Sequence, residues 1–189
     1  MIDIDKSKKH SINIPEDRLG VIIGQKGSMK KELEREGHVK LKIDSKKSTV
    51  EIDETEKTES IDVYRTQLVL EAISYGFNPK VAEKLFNDDY YFVVIDLRDY
   101  SDNDKELERH KARIIGTEGK SKKKLEKLST CNFVVYKDYV GIIGTAEAIQ
   151  VGERAITMFL RGSQHSAVFE FLEKENKKLL GFYNRPADV

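Results

Sequence analysis

The sequence predicts an α+β protein built from two tandem copies of one unit. The first observation behind this is a stretch that occurs twice. Val21-Ile22-Ile23-Gly24-Gln25-Lys26-Gly27 recurs as Arg113-Ile114-Ile115-Gly116-Thr117-Glu118-Gly119, each an apolar pair running into a Gly-x-x-Gly loop. Aligned on their glycines, the copies also share Lys30 with Lys122, Lys31 with Lys123, Leu33 with Leu125 and Glu34 with Glu126. The second observation is the order of predicted elements around each loop, which is strand, helix, loop, helix, strand, strand, helix in both halves. The third is length: 189 residues hold two small units, not the several repeats a solenoid needs.

In the first half, Ile12-Asn13-Ile14 alternates and reads as a short strand closed by Pro15, after a polar lead over residues 1–10. Pro15 suits the opening turn of a short helix over 16–22, which Gly24 breaks. A helix over 28–36 follows, with Ser28 as cap and Gly37 as stop. Val39, Leu41 and Ile43 alternate with Lys40 and Lys42 as a half-buried strand with a basic outer face. The return strand is expected at 49–52. A helix over 60–75 then presents Ile61, Tyr64, Leu68 and Ala72 as its apolar face. The first unit spans 11–76. Asn78 and Pro79 start a bridging helix within 77–89.

The second unit is expected at 90–162. It starts with an apolar strand over 90–97, covered on both faces, and a helix from Ser101 to about Ile115. After the loop come a helix over 120–128, a hairpin of 132–136 with 139–143 across Lys137-Asp138, and a closing helix over 145–160. A C-terminal helix over 163–179 and a tail complete the chain.

Formal net charge is zero, so bulk electrostatics point to no polyanion. Local charge does: residues 105–128 hold nine basic and four acidic side chains, a net of +5. Lys120, Lys123, Lys124 and Lys127 lie on one stripe beside the expected Leu125 face. Cys131 is alone, which excludes a disulfide framework or a cysteine zinc site and suits a small buried side chain. The four histidines have no metal-ligand spacing, and no nucleophile–base set, carboxylate pair or Walker loop stands out. No metal, cofactor or catalysis is expected. No segment reads as a leader or membrane span, so the expected location is cytoplasmic.

A GxxG loop between two helices turns tightly, lets another backbone come close, and presents the amides and partial positive charge of the next helix to a phosphate. Lys26 in the first loop favours such a contact; Glu118 in the second opposes it. With this motif inside this element order, each half resembles a type I KH domain, a three-stranded antiparallel sheet packed on helices. The tandem pair, the helix at Asn78-Pro79 and the closing helix with His165 resemble the archaeal relatives of the partner-of-Nob family of small-subunit ribosomal RNA processing and assembly proteins. The resemblance implies single-stranded RNA binding, with each loop clamping about four nucleotides of backbone. It carries over to Gly24, Gln25, Lys26, Gly27, Lys30 and Lys31 as backbone contacts, with Val21, Ile22, Leu41 and Ile43 lining the first groove. In the second half it implies Gly116, Thr117, Gly119, Lys120, Lys123, Lys124 and Lys127 as backbone contacts, with Arg113, Ile114, Val134 and Tyr136 lining the groove. Implied partners are small-subunit ribosomal RNA, the alpha subunit of archaeal initiation factor two and ribosome assembly factors, with no membrane. A KH-fold protein scaffold and an RNA-degradation or transcription adaptor stay open beside this reading. The acidic stretch from Glu51 to Asp62 is a candidate protein-facing surface.

Overall fold

The computed structural model describes residues 10–183; the lead over 1–9 and the end of the tail lie outside the described residues. The chain divides into two compact units, one ending at Asn87 and the other starting at Asp88. Unit one contains β1 (His10–Asn13), α1 (Glu16–Ile23), α2 (Ser28–Glu36), β2 (Val39–Asp44), β3 (Thr49–Glu54), α3 (Ser60–Ser74) and the short α4 (Pro79–Ala82). Unit two contains β4 (Tyr91–Asp96), α5 (Asp104–Ile115), α6 (Lys120–Ser129), β5 (Asn132–Tyr136), β6 (Tyr139–Gly144), α7 (Ala146–Leu160) and α8 (His165–Tyr183).

Each unit holds one three-stranded antiparallel sheet in which the last strand is central, ordered β1-β3-β2 and β4-β6-β5. Strand alternation sets the cores. Val39, Leu41, Val50 and Ile52 turn inward in unit one, where Leu19, Ile22, Leu33, Leu70 and Ile73 are also buried. In unit two, Leu107, Ile114 and Leu125 meet Phe133, Val140, Ile142, Ala155, Ile156 and Phe159. Cys131 is buried as expected. Tyr136 pairs with Tyr139 across the Lys137-Asp138 turn, giving the expected hairpin.

The face of α3 differs in part from its predicted one: Ala72 is buried as expected and Leu68 is half-buried. Ile61 and Tyr64 are 41% and 56% exposed, while Val63, Thr66, Val69, Leu70 and Ile73 are buried. The helix carries apolar residues on more than one side, so periodicity alone does not choose between them. Asp62 decides the entry. Its carboxylate accepts from the Glu59 amide at 3.0 Å and faces His38 Nδ1 at 3.2 Å. Burial pushes the Asp62 carboxyl up, but these hydrogen bonds outweigh it and hold the group below its ordinary value.

The repeat extends further than the sequence alignment shows. Helices α3 and α7 end alike, with Gly76 and Gly162 at φ 97° and 89°. Gly76 donates to Ile73 and Phe77 to Ala72; Gly162 donates to Phe159 and Ser163 to Met158. This is the six-to-one closure of a helix by a left-handed glycine. Three residues past each glycine a further helix starts, α4 at Pro79 and α8 at His165. The helix expected to bridge the halves therefore packs on α3 within unit one, and it occupies the place in the repeat that α8 occupies in unit two.

An arginine caps each of these helix ends. Arg18 of α1 donates to Ile73 O at 2.9 Å and to Phe77 O at 2.6 Å. Arg113 of α5 donates to Phe159 O at 2.8 Å and to Ser163 O. The acceptors correspond residue for residue, but the arginines do not. On the glycine alignment Arg18 matches His110, whose ring is buried and too short for this role, and Arg113 matches Val21. Hydrogen bonds to a charged group are worth about 1.5–3 kcal/mol. Arg18→Ala is therefore expected to destabilise the chain by about 1.5–3 kcal/mol, read as a lower urea midpoint, and Arg113→Ala by a similar amount. An unchanged midpoint for both would show that the carbonyls are equally well satisfied by water.

Candidate nucleic-acid interface

Both loops have the same backbone. Gly24 lies at φ 68°, ψ −179°, Lys26 at 52°, 30° and Gly27 at 76°, 15°. Gly116, Glu118 and Gly119 lie at 70°, 172°; 52°, 26°; and 72°, 14°. The first position of each loop is open essentially to glycine alone. The third is left-handed, and Lys26 and Glu118 adopt it without being glycine.

The two glycines of a loop have different tasks. A Cβ on Gly24 would lie 2.6 Å from Met29 Cβ and 2.9 Å from the Met29 amide nitrogen; on Gly116 it would lie 2.5 Å from Ser121 Cβ. These first glycines let the loop fold back on its own following helix. A Cβ on Gly27 or Gly119 would meet nothing within 4 Å. The second glycines keep the outer surface of the turn bare, where a ligand backbone can approach. Helices α2 and α6 start at these second glycines, and no side chain caps either. Ser28, expected as cap, is instead the first residue of α2. The Ser28 and Lys120 amides donate back to the Gln25 and Thr117 carbonyls, and no side chain occupies either helix start, which leaves its partial positive charge open to a phosphate.

The charged flanks differ. Lys26 and Lys31 are exposed and make no ion pair among the described residues, and the same holds for Lys123 and Lys127. Lys30 lies 3.8 Å from Glu34, whose Oε1 accepts from the Leu41 amide at 2.9 Å. Lys122 and Glu126 repeat this, with Glu126 accepting from the Phe133 amide at 3.1 Å. The shared Lys–Glu pair thus docks the edge strand on the helix. Lys120 pairs with Glu118 at 3.2 Å and Lys124 with Glu173 of α8 at 3.0 Å. Position 32 of the first copy, an acid where Lys124 stands in the second, pairs with Lys80 of α4.

Several residues expected to line grooves lie elsewhere. Ile22, Leu41 and Ile114 are 0–1% exposed and belong to the core, because the inward alternation of β2 and the inner faces of α1 and α5 place them there. Arg113, the helix cap already described, also borders the space beside the second loop. Val21, Ile43, Val134 and Tyr136 are half-buried, at the margins where a groove residue can be reached. At the rim of the second half, Asp138 in the hairpin turn accepts from Lys111 of α5 at 2.9 Å and from Arg98 at 3.0 Å. Lys111 and Arg98 hold the Asp138 carboxyl below its ordinary range, and this ties the hairpin tip to α5 just over one turn before Gly116. Burial lowers the His110 imidazole, keeping it neutral in the core. Sequence reasoning missed one feature: a groove of about 580 Å³ between α5, α6 and α8, which includes Arg109, Lys120, Lys124, His165 and Phe169. Its only sequence signal was the basic run over 105–128.

Two family models match the chain. The KH domain model matches residues 9–61, and the eukaryotic-type KH-domain (type I) model matches 91–177. The chain is a tandem type I KH-domain protein. It is 43% identical to the KH domain-containing protein MJ0443 of Methanocaldococcus jannaschii over 169 residues, covering 89% of this chain and 74% of that protein. Among solved structures it resembles Dim2p from Pyrococcus horikoshii OT3, at 36% identity and a TM-score of 0.82 over 89% of this chain and 99% of that one. It also resembles a chain of the a/eIF2alpha-aDim2p-rRNA complex from the same organism, at 35% identity and a TM-score of 0.84 over 90% and 95% of the two chains. Among the described residues, no helix is long and apolar enough to cross a membrane, and no cluster of His, Cys, Asp or Glu could hold a metal ion.

The different tasks of the two glycines give an ordered expectation. Gly119→Ala is expected to cost about 1–2 kcal/mol, the strain of a left-handed alanine. Gly116→Ala adds a backbone collision with Ser121 and is expected to cost about 3 kcal/mol or more. Urea unfolding of the two variants gives the order directly, and equal losses would refute the assignment.

Proposed function

We propose that this KH protein binds single-stranded RNA through both GxxG loops, and that its target is small-subunit ribosomal RNA during assembly or 3′-end maturation. The observation that carries the reading is the pair of matching loops, each with a bare second glycine and an uncapped helix start facing outward. Phosphates meet the helix amides and the loop lysine there, while the half-buried margins at Val21 and Ile43, and at Val134 and Tyr136, offer surfaces to bases. The similarity to a chain of a complex that also contains rRNA and a/eIF2alpha supports the ribosomal target. It likewise supports the alpha subunit of archaeal initiation factor two as a partner. The acidic stretch Glu51 to Asp62, which runs into the exposed Ile61 and Tyr64, is the surface we assign to protein contact. No step of this reading uses a catalytic group.

The test keeps the glycines and changes the residues between them. Gln25→Asp with Lys26→Asp, and Thr117→Asp beside the carboxylate already present at Glu118, place negative charge at exposed positions, and Asp tolerates the left-handed site at 26. Fold and stability are expected to hold while affinity for short single-stranded RNA falls about tenfold or more for each loop. Full retention of affinity with all three replacements would sink the reading.

The loops should also respond to a gain of charge. Glu118→Lys gives the second loop the residue of the first at the same backbone angles and releases Lys120. Affinity should rise severalfold, and the slope of log affinity against log salt should steepen by about 0.7 for each added phosphate contact. An unchanged slope would show that residue 118 faces no phosphate.

A further inference from the structure

The groove between α5, α6 and α8 lies on a different side of α6 from the edge strand. The strand side is marked by Glu126, which accepts from Phe133 of β5. The other side is marked by Lys124, which reaches Glu173 of α8 and sits 4.5 Å above the Phe169 ring. None of the described residues lining the groove is acidic, and four carry permanent positive charge: Arg109, Arg113, Lys120 and Lys124. Three of these charges are met by carboxylates next to the groove, Glu106, Glu118 and Glu173. Such exposed pairs are weak and exchange readily for a phosphate. Arg113 is held by two main-chain carbonyls and makes no ion pair with a carboxylate among the described residues.

Aromatic surface lies among these charges. His165 is exposed, packs edge-on against Phe159 at 5.0 Å between centroids, and lies 6.1 Å from Phe169. Its Nε2–H donates to Arg113 O at 3.0 Å, which fixes the ring and leaves Nδ1 on the far side. Gly116 and Thr117 of the second loop form part of the same wall.

We propose that this groove takes the nucleotides of single-stranded RNA that continue past the second GxxG loop, with a base on the Phe169–His165 surface and a phosphate between Arg109 and Lys120. This rests on the loop reading above and extends it. Basic side chains around an aromatic platform are the general chemistry of single-strand binding. The wall shared with the loop makes the groove continuous with a phosphate held there. Lys124 leaves the face of Phe169 when a base stacks, and it keeps Glu173 as partner. Stacking of a base outweighs an exposed cation–π contact, so the exchange is favourable. The clamp then covers more than the four nucleotides a single KH surface holds.

Arg109→Gln and Phe169→Leu, combined in the full chain, test this against RNAs of four and eight nucleotides. Leucine keeps apolar volume against Phe159, and circular dichroism checks the fold. The combined variant is expected to lose at least about tenfold in affinity for the eight-nucleotide RNA and to bind the four-nucleotide RNA within twofold of the parent. The salt slope for the longer RNA should become shallower by about 0.7. In the parent chain, 4-thiouridine in the longer RNA should cross-link to the peptide carrying His165 and Phe169. Unchanged affinity for the longer RNA with no such cross-link overturns the groove. Equal losses on both RNAs also overturn it, because the groove would then be part of the clamp and not its continuation. Thr117→Asp separates the two readings. If it weakens both RNAs while the groove variant has no effect, the loop stands and the groove falls; if it weakens neither, the loop reading itself fails.

Discussion

The close approach of each loop to the helix that follows it constrains everything else in the site. Gly24 against Met29 and Gly116 against Ser121 leave no room for a Cβ, and both glycines use backbone angles closed to other residues. With that contact made, the next two residues and the second glycine have little freedom. The two loops therefore share their angles to within about 10° although their inner residues differ in charge. The turn is closed further by the Ser28 and Lys120 amides, which donate to the Gln25 and Thr117 carbonyls, so its shape is set by the chain's own contacts.

A second constraint lies behind the loops. The helix that runs into each loop also carries the arginine that caps the closing helix of its unit. Arg18 and Arg113 reach equivalent carbonyls from positions three residues apart on the glycine alignment. Nearly one turn along a helix returns a side chain to the same face, and the length of arginine covers the remaining offset. The same freedom appears at positions 32 and 124. Glu32 meets Lys80 of α4 and Lys124 meets Glu173 of α8, a pair of opposite polarity holding equivalent helices. Evolutionary duplication has kept the geometry and exchanged the residues that produce it.

This explains how much of the molecule was legible. Loops, element order and strand alternation repeat as local patterns, and they were read to within a residue or two from Gly24, Val39-Leu41-Ile43 and the Lys137-Asp138 turn. Three kinds of fact are not local. The core face of α3 depends on which of several apolar rows the sheet covers, and there the capping carboxylate of Asp62 and the burial of Val63 and Leu70 decide against Ile61 and Tyr64. The task of Arg113 depends on a carbonyl 46 residues away, so a basic residue beside GxxG reads as an RNA contact until the fold supplies its acceptor. Ile22 and Ile114 precede the loop in sequence, but their helices turn them inward, and the motif alone cannot separate the wall of a groove from the core beneath it.

The lysine stripe of α6 shows what the tandem arrangement has produced. As a sequence feature, Lys120, Lys123, Lys124 and Lys127 looked like one footprint aimed at one strand of RNA. In the fold they divide. Lys123 and Lys127 remain without ion pairs among the described residues, Lys120 leans on Glu118, and Lys124 is drawn to Glu173 and Phe169. In the first unit, Glu32 pairs with Lys80 of α4, and the loop itself carries Lys26, which makes no ion pair among the described residues. The first clamp thus concentrates its charge in the loop, and the second spreads it along a helix that α8 extends with aromatic surface. Two loops of the same backbone thus differ in where their basic charge lies.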